Sequence, residues 1–204
     1  MSLSRNALAA VVVVSLVVAG CGASTTTLDV GYPAADARRA MLASVPPMRI
    51  EVGSLVDRRV DALRIGSESD KGKSITTTRP VPDIVRDALV TELGRNGHVI
   101  ADADGDVILS GELEEFWLDI VPGYPETHYV GRVALALVVV NARTGERVVT
   151  RRYVGIRRQK AEPDSAEARR AVMDTALART IHDLATDRTL VAALSRLRSP
   201  APTT

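Results

Sequence analysis

The stretch VILSGELEEFWLDIV, residues 107–121, decides the predicted fold, because its apolar and polar residues alternate at the two-residue period of a β-strand. The main apolar positions are odd-numbered as far as Leu113 and even-numbered from Phe116 onward. A shift of one residue moves the side chains of a strand to the opposite face of the sheet. The change of parity therefore predicts a β-bulge or a strong bend near Glu114 and Glu115.

Two further strands follow and predict a β-meander. One strand is expected over residues 129–141 and a return strand over residues 146–158. The sequence NARTG between them, residues 141–145, predicts a hairpin turn with Gly145 at the position that needs a positive φ. The core positions expected on the first of these strands are Val133, Leu135, Leu137 and Val139.

Helices are predicted on both sides of the meander. One begins at Pro82 and ends before Asn96-Gly97, which is typical of a left-handed cap. Asp164 and Glu167 have the spacing of a capping box at the start of a second helical region. A further helical piece over residues 187–196 completes this region.

The complete order of elements predicts an α/β (α+β) fold. A first strand is expected over residues 48–52, and a short strand over residues 98–101. Between them, residues 57–80 predict a long polar excursion with a weak hairpin that pairs residues 63–65 with residues 74–76. The order β-α-β-β-β-α predicts a mixed sheet of about four to five strands with two helices packed on one face. One domain would then span residues 48–197 and be followed by a disordered tail, residues 198–204.

The first twenty residues predict a secretory signal peptide. Arg5 precedes an apolar run, residues 7–18, that is shorter than the roughly 20 residues a transmembrane helix needs. The stretch Val18-Ala19-Gly20-Cys21 closely resembles the bacterial lipobox, in which the peptide is cleaved before a cysteine that carries acyl chains. The resemblance implies cleavage after Gly20 and lipidation of Cys21. The alternative is an ordinary secreted protein whose cysteine happens to lie near the cleavage site.

Residues 21–47 are rich in Ala, Ser, Thr and Pro and predict a lipidated tether. Three acyl chains would anchor the protein essentially permanently, since each buried CH₂ contributes about 0.8 kcal/mol. Gly22 follows the cysteine, and by resemblance to the sorting rule of proteobacterial lipoproteins the absence of Asp there favours the outer membrane. The expected location is the periplasmic face of that membrane, with an anchor elsewhere in the envelope left open.

With this order of elements the chain resembles the YajG family of bacterial lipoproteins over most of residues 48–195. The resemblance is carried by the lipobox at Cys21, by Asp57-Arg58-Arg59, by the helix 84–93 with Gly97-His98-Val99-Ile100, by Asp106-Val107-Ile108-Leu109, by the hairpin at Thr144-Gly145 and by residues 164–184. The family has no established enzymatic activity, so the resemblance implies location and fold and leaves the function open.

Composition and motifs argue against several other classes of protein. The 26 Lys and Arg residues balance 25 Asp and Glu residues, so the chain lacks the basic excess of a nucleic-acid binder. A single cysteine excludes an intramolecular disulfide and thiolate-rich metal sites. The loop 66–74 lacks the spacing of a P-loop, and Val107 stands where a calcium loop beginning at Asp102 needs glycine. No cofactor, nucleotide or metal is expected, and no nucleophile and base are spaced as in an enzyme.

Two features remain as candidates for binding. Four of the six aromatic residues lie between residues 116 and 129, and Trp117, Tyr124 and Tyr129 are the predicted partner contacts because aromatic side chains dominate interfaces. The alternative is that these aromatic residues contact no partner and instead cap the end of the sheet. The return strand and the residues after it are rich in arginine and are expected either to meet lipid phosphate or an acidic partner, or to form a solvated edge.

These observations predict a membrane-anchored periplasmic lipoprotein with a non-catalytic binding or assembly role in the cell envelope, acting on an envelope protein partner. The alternative is an auxiliary lipoprotein of a lipid or solute transport system of ABC type, whose domain would hold or hand over an apolar ligand.

Overall fold

The computed structural model describes residues 25–33, 40–68, 73–123, 126–161 and 164–198. Within these residues the strands are β1 (Thr25–Leu28), β2 (Arg49–Asp57), β3 (Gly66–Glu68), β4 (Lys73–Thr77), β5 (Val99–Ala101), β6 (Val107–Val121), β7 (His128–Asn141) and β8 (Arg147–Lys160). The α-helices are α1 (Val81–Arg95), α2 (Ala166–Ala185) and α3 (Arg188–Arg198). The signal peptide, Gly20 and Cys21 lie outside the described residues.

The expected fold of four to five strands with two helices is wrong, because the described residues form one mixed sheet of eight strands together with three helices. The sequence pattern missed β1 and placed β3 three residues too early, whereas the hairpin strand expected over residues 74–76 lies within β4. These strands are rich in Ser and Thr, and β1 and β4 each bury a single large apolar residue, Leu28 and Ile75. A segment with one apolar residue among Ser and Thr shows no alternation of apolar and polar residues, so it looks like a loop in the sequence, although threonine itself favours strands.

β6 is the central strand of the sheet. Along one edge it pairs antiparallel with β7, from Val107 opposite Asn141 to Val121 opposite His128. Along its other edge it pairs in parallel first with β2 and then, at Leu118, with β3. β8 extends the sheet beyond β7, β5 extends it beyond β2, and β4 and β1 extend it beyond β3.

The bulge predicted in β6 is confirmed. Leu113 and Glu115 pair with consecutive residues of β7, so Glu114 is the extra residue of the bulged strand. Because of this extra residue, Leu113 and Phe116 are both buried on the same side of the sheet. The bulge thus lets the two halves of a fifteen-residue strand contribute to one core in spite of their opposite parity.

The helices complete the core by packing on the sheet, α1 against β2 and α2 against β7 and β8. The backbone of α2 lies close to β8 at Gly155. A Cβ atom built there would lie 2.1 Å from the carbonyl oxygen of Ala176 and 2.7 Å from the backbone nitrogen of Thr180. Only the absence of a side chain lets the helix backbone lie this close to the strand.

The expected tether over residues 21–47 is corrected by the structure from Thr25 onward. β1 pairs with β4, and the segment that follows it is fixed by polar contacts to two helices. The backbone nitrogen of Gly31 donates to Asp174 of α2 at 2.9 Å, and the Tyr32 hydroxyl donates to Glu92 of α1 at 2.8 Å. The apolar residues of this region that join the core are Leu28, Val30, Leu42 and Val45. The described part of the segment therefore belongs to the domain.

The ends of the helices and hairpins follow local rules with one exception. Gly97 and Gly145 have positive φ angles of 92° and 70°, as the cap and turn patterns predict. The predicted capping box of Asp164 and Glu167 is wrong, because Ser165 is the N-cap of α2 and its hydroxyl accepts from the backbone nitrogen of Ala168 at 3.1 Å.

The close approach of α2 to β8 predicts that Gly155→Ala destabilises the domain. The new methyl group must displace the backbone of α2, so we expect a loss of about 1–3 kcal/mol in the free energy of unfolding. Urea denaturation followed by circular dichroism measures this loss. The control is Gly94→Ala, at an exposed position of α1 with no atom near the new methyl group, which should be neutral or slightly stabilising. Equal stabilities of the two variants would contradict this account of the packing.

Candidate functional site

A loop at the β6 bulge is the first element of the candidate site. It comprises residues 58–65 and is called the Arg59 loop here. At one end of the loop the backbone nitrogen of Arg58 donates to the carbonyl of Leu113 at 2.9 Å, and at the other end the nitrogen of Leu118 donates to the carbonyl of Ile65 at 2.6 Å. Between these two bonds no described strand pairs with β6 on this edge. The loop therefore arches over the bulge.

Arg59 holds the loop from within. Its guanidinium group donates to both carboxylate oxygens of Asp57, at 2.9 and 2.8 Å, and to the carbonyls of Ala62 and Arg64, at 2.9 and 3.1 Å. Only 4% of the Arg59 side chain is exposed. The hydrogen bond from Arg59 lowers the pKa of Asp57, so the carboxylate stays ionised at neutral pH.

Asp61 fixes the tip of the same loop. Its carboxylate accepts from the backbone nitrogens of Leu63 and Arg64, at 3.0 and 3.1 Å, and from the Arg64 side chain at 2.6 Å. The hydrogen bond from Arg64 lowers the pKa of Asp61. In this arrangement Val60 is fully exposed and Leu63 is 88% exposed. A loop fixed by internal hydrogen bonds thus holds two apolar side chains in water.

A groove of about 680 Å³ separates the Arg59 loop from β6, and we call it the bulge groove. The Trp117 side chain lies in this groove, is half-buried, and donates from Nε1 to Asp119 at 2.8 Å. The lining residues are Arg59, Val60, Asp61, Arg64, Glu114, Glu115, Phe116, Trp117 and Arg152. Trp117 and Val60 give the groove an apolar surface that faces solvent.

The charged groups that line the bulge groove are paired with one another, with Arg132 of β7 or, for Arg59, with Asp57 at the end of β2. Arg152 contacts Glu114 at 2.5 Å, and Arg132 contacts Glu115 at 2.7 Å and also Asp119. Such pairs at the surface contribute at most about 1 kcal/mol each to stability. They do, however, neutralise the groove, so no net charge selects an ionic ligand.

Tyr129, one of the three predicted partner contacts, is completely buried, and its prediction as a contact residue is wrong. Its hydroxyl donates to Asp164, and its ring lies 5.6 Å from the guanidinium carbon of Arg169. Arg169 in turn pairs with Asp164 at 2.7 Å and with Glu68. Burial raises the pKa of the Tyr129 hydroxyl. The aromatic residue thus caps the end of the sheet, which was the alternative reading of the pattern.

The other predicted contacts have different outcomes. Trp117 lies in the bulge groove and remains a candidate, whereas Tyr124 lies outside the described residues. On β8, Arg151 lies 3.4 Å from Asp187 and Arg152 pairs with Glu114, so both guanidinium groups have partners within the chain. These contacts favour internal pairing for Arg151 and Arg152, and Arg152 also lines the bulge groove.

Sequence patterns missed Val60 and Leu63, because residues 57–80 form a polar stretch in which two apolar residues carry no periodic signal. The one sequence feature that could have indicated these two residues as a binding site is the presence of isolated apolar side chains in a polar loop. The described residues contain no group of three or more His, Cys, Asp and Glu side chains placed to hold a metal ion. His98, His128 and His182 lie on different elements, and burial lowers the pKa of His98.

Solved structures are similar to this chain, and of the following two only the first supports the fold. Protein XCC0632 from Xanthomonas campestris, of family DUF330, is 15% identical, with 83% of this chain and 95% of that chain covered and a TM-score of 0.58. A minor lipoprotein from Acinetobacter baumannii is 13% identical, with 78% and 99% covered and a TM-score of 0.43. At 15% identity the similarity to XCC0632 shows the fold alone. No curated protein matches the chain.

The protein is a lipoprotein by class. The chain belongs to Lipoprotein_16, a family of uncharacterised lipoproteins whose model matches residues 48–195. This match confirms the predicted resemblance to YajG-like lipoproteins and covers the sheet from β2 to β8 together with the helices α1 and α2. None of the helices in the described part of the chain has both the length and the apolar character needed to cross a bilayer.

The hydrogen bonds of Arg59 predict that Arg59→Gln releases the loop. Glutamine has neither the charge nor the forked donors, so we expect a loss of about 1.5–3 kcal/mol and faster hydrogen exchange of the amides of residues 60–64. Exchange followed by mass spectrometry measures the effect. The control is Arg58→Gln, since the Arg58 side chain is 62% exposed and contacts Glu112 at only 3.4 Å, and its change should stay within about 0.5 kcal/mol. Identical exchange in the two variants would show that Arg59 does not order the loop.

Proposed function

We propose that this lipoprotein is acylated on Cys21 after cleavage behind Gly20 and binds another envelope protein through the Arg59 loop and the bulge groove, without catalysing a reaction. The observation that carries the binding role is a loop fixed by internal hydrogen bonds that exposes Val60 and Leu63, with Val60 lining the same groove as Trp117. The lipobox at residues 18–21 and the family support the anchor.

Preorganisation is the physical reason to assign binding to this loop. An exposed apolar side chain on an unstructured loop loses conformational entropy when a partner orders it, and this loss weakens binding. The bonds of Arg59 and Asp61 order the loop in advance. A partner that covers Val60, Leu63 and Trp117 therefore gains the burial of apolar area at a small ordering cost.

The state of the ionisable groups around the groove favours a non-catalytic role. General acid and base catalysis works best with groups whose pKa lies near the working pH. The partners Arg59 and Arg64 instead lower the pKa of Asp57 and Asp61. Glu114 and Glu115 are paired with arginines of β8 and β7. The carboxylates are thereby committed to holding the site together.

The proposed location is the periplasmic face of the outer membrane, in line with Gly22 after the lipidated cysteine. Acylation predicts that globomycin, an inhibitor of lipoprotein signal peptidase, causes an uncleaved precursor to accumulate in cells. Mass spectrometry of the mature protein should find acyl mass on residue 21. Normal processing of a Cys21→Ala variant into a soluble product would refute the anchor.

The binding role predicts that a photo-crosslinking amino acid at position 60 captures a protein in intact cells. The matched control is position 99, also a valine, which is 54% exposed on the distant strand β5 and should give no such product. Trp117→Ala should weaken the crosslink from position 60 several-fold, since it removes the apolar wall of the groove. Equal capture from positions 60 and 99 would count against a specific site.

Transport of an apolar ligand is the second candidate, and the size of the groove favours it. A volume of about 680 Å³ lies within the roughly 300–1,000 Å³ of small-molecule sites. The same crosslinking experiment separates the two functions. A product with phospholipid mass at position 60 would support a transport role, and a product with protein mass supports the binding role.

A further inference from the structure

We infer that one end of the domain rests against the bilayer, with Val121 at the end of β6 and the exposed residues 122–123 after it at the lipid headgroups. The inference rests on the acylation of Cys21 proposed above. It fixes the orientation of the domain, which the anchor alone leaves free.

The first step is the length of chain between the anchor and the fold. β1 begins at Thr25, only four residues after Cys21. A fully extended chain spans at most about 3.3–3.6 Å per residue, so the acylated residue lies within roughly 14 Å of Thr25 whatever its conformation. β1 pairs with β4 along its whole length and buries Leu28 in the core. The domain is therefore held directly at the membrane.

The second step identifies the end of the domain that carries Thr25. Thr25 lies opposite Ser74 near the start of β4, and β4 starts opposite the last residue of β3, Glu68. β3 runs parallel to β6, with Gly66 opposite Leu118, and therefore points toward the end of β6. The start of β1 and the end of β6 thus lie at the same end of the sheet, which we call the anchor end.

The last two long strands share this end. Val121 at the end of β6 pairs with His128, and His128 pairs with Lys160 at the end of β8. Adjacent strands lie about 4.8 Å apart, so three strand spacings, roughly 14 Å, separate β1 from β6.

The start of α2 contacts both β1 and β3 at the anchor end. These contacts hold the ends of the two strands near each other, although the sheet is twisted. Arg169, in the first turns of α2, joins Glu68 at the end of β3 to Asp164 before the helix, and only 8% of its side chain is exposed. A shallow pocket between β1 and α2 is lined by Thr27 and Asp29 on one side and by Glu167 and Arg170 on the other. β1, β3 and the start of α2 thus lie together at the anchor end.

The exposed segments next to the two ends of β7 differ in chemistry, although Val99 at the start of β5 also exposes an apolar side chain at the end of the sheet opposite the anchor. At the anchor end Val121 is 41% exposed, and Pro122 and Gly123 are exposed beside it. At the opposite end the hairpin residues 143–146 are exposed and carry the sequence RTGE, with no large apolar side chain. An apolar tip suits the boundary between headgroups and acyl chains. The charged residues of the opposite hairpin are better solvated in water than in the bilayer.

The test uses the full-length, acylated protein in vesicles of phosphatidylethanolamine and phosphatidylglycerol that contain a nitroxide-labelled headgroup lipid. A fluorophore is attached to Val121→Cys or, as the control, to Thr144→Cys in the opposite hairpin. The two ends of β7 lie about 43 Å apart, because its fourteen residues rise about 3.3 Å each. We expect quenching at position 121 to exceed quenching at position 144 several-fold.

A second variant tests the short connection itself. A flexible linker of about 20 Gly and Ser residues between Ser24 and Thr25 has an r.m.s. span of roughly 25 Å and should abolish the difference between the two positions. Equal quenching at positions 121 and 144 in the acylated protein without the linker, or stronger quenching at 144, would overturn the orientation and leave the anchor intact. Absence of acyl mass on residue 21 would instead overturn the anchor, and the orientation with it.

Discussion

The bulge at Glu114 is the constraint on which the rest of the structure depends. It restores the phase of β6, so that Leu113 and Phe116 both enter the core. It also coincides with the interval in which β6 changes partners, because β2 pairs as far as Leu113 and β3 pairs at Leu118. A regular strand would allow continuous pairing on this edge, whereas the bulge leaves an interval that a loop has to cross. The Arg59 loop and the bulge groove occupy that interval.

The long elements were predictable because each carries its own periodic signal. The bounds of β6 agree with the sequence pattern, and the bulge follows from a change of parity that is visible without any structure. β1, β3 and β4 carry no such signal, since each has only three to five residues. Their existence depends on pairing with distant segments, as in the alignment of Thr25 with Ser74. Long-range pairing of this kind overrides local composition, and for that reason part of the expected tether is a strand.

The site was predictable only in part for a related reason. The concentration of aromatic residues near the end of β6 predicted both Trp117 and Tyr129 as partner contacts, since both have the same local signal. Trp117 is half-exposed and remains a candidate, whereas Tyr129 is buried. What separates them is Arg169, from a helix forty residues away, which together with Asp164 encloses the Tyr129 hydroxyl. The exposure of Val60 likewise depends on bonds from Arg59 to backbone carbonyls, which no spacing of residues reveals.

In the proposed arrangement the anchor and the groove together set the height at which a partner is met. Trp117 and Glu114 precede Val121 by four and seven residues, which places the bulge groove about 13–23 Å along β6 from the anchor end. Acylation of Cys21, with that end against the bilayer, would place the groove in the layer next to the membrane. We therefore expect a partner to present its binding segment within this layer, as a second membrane-bound protein does. On this proposal the short connection between Cys21 and β1 makes the anchor part of the recognition, because it limits both the height and the orientation of the site.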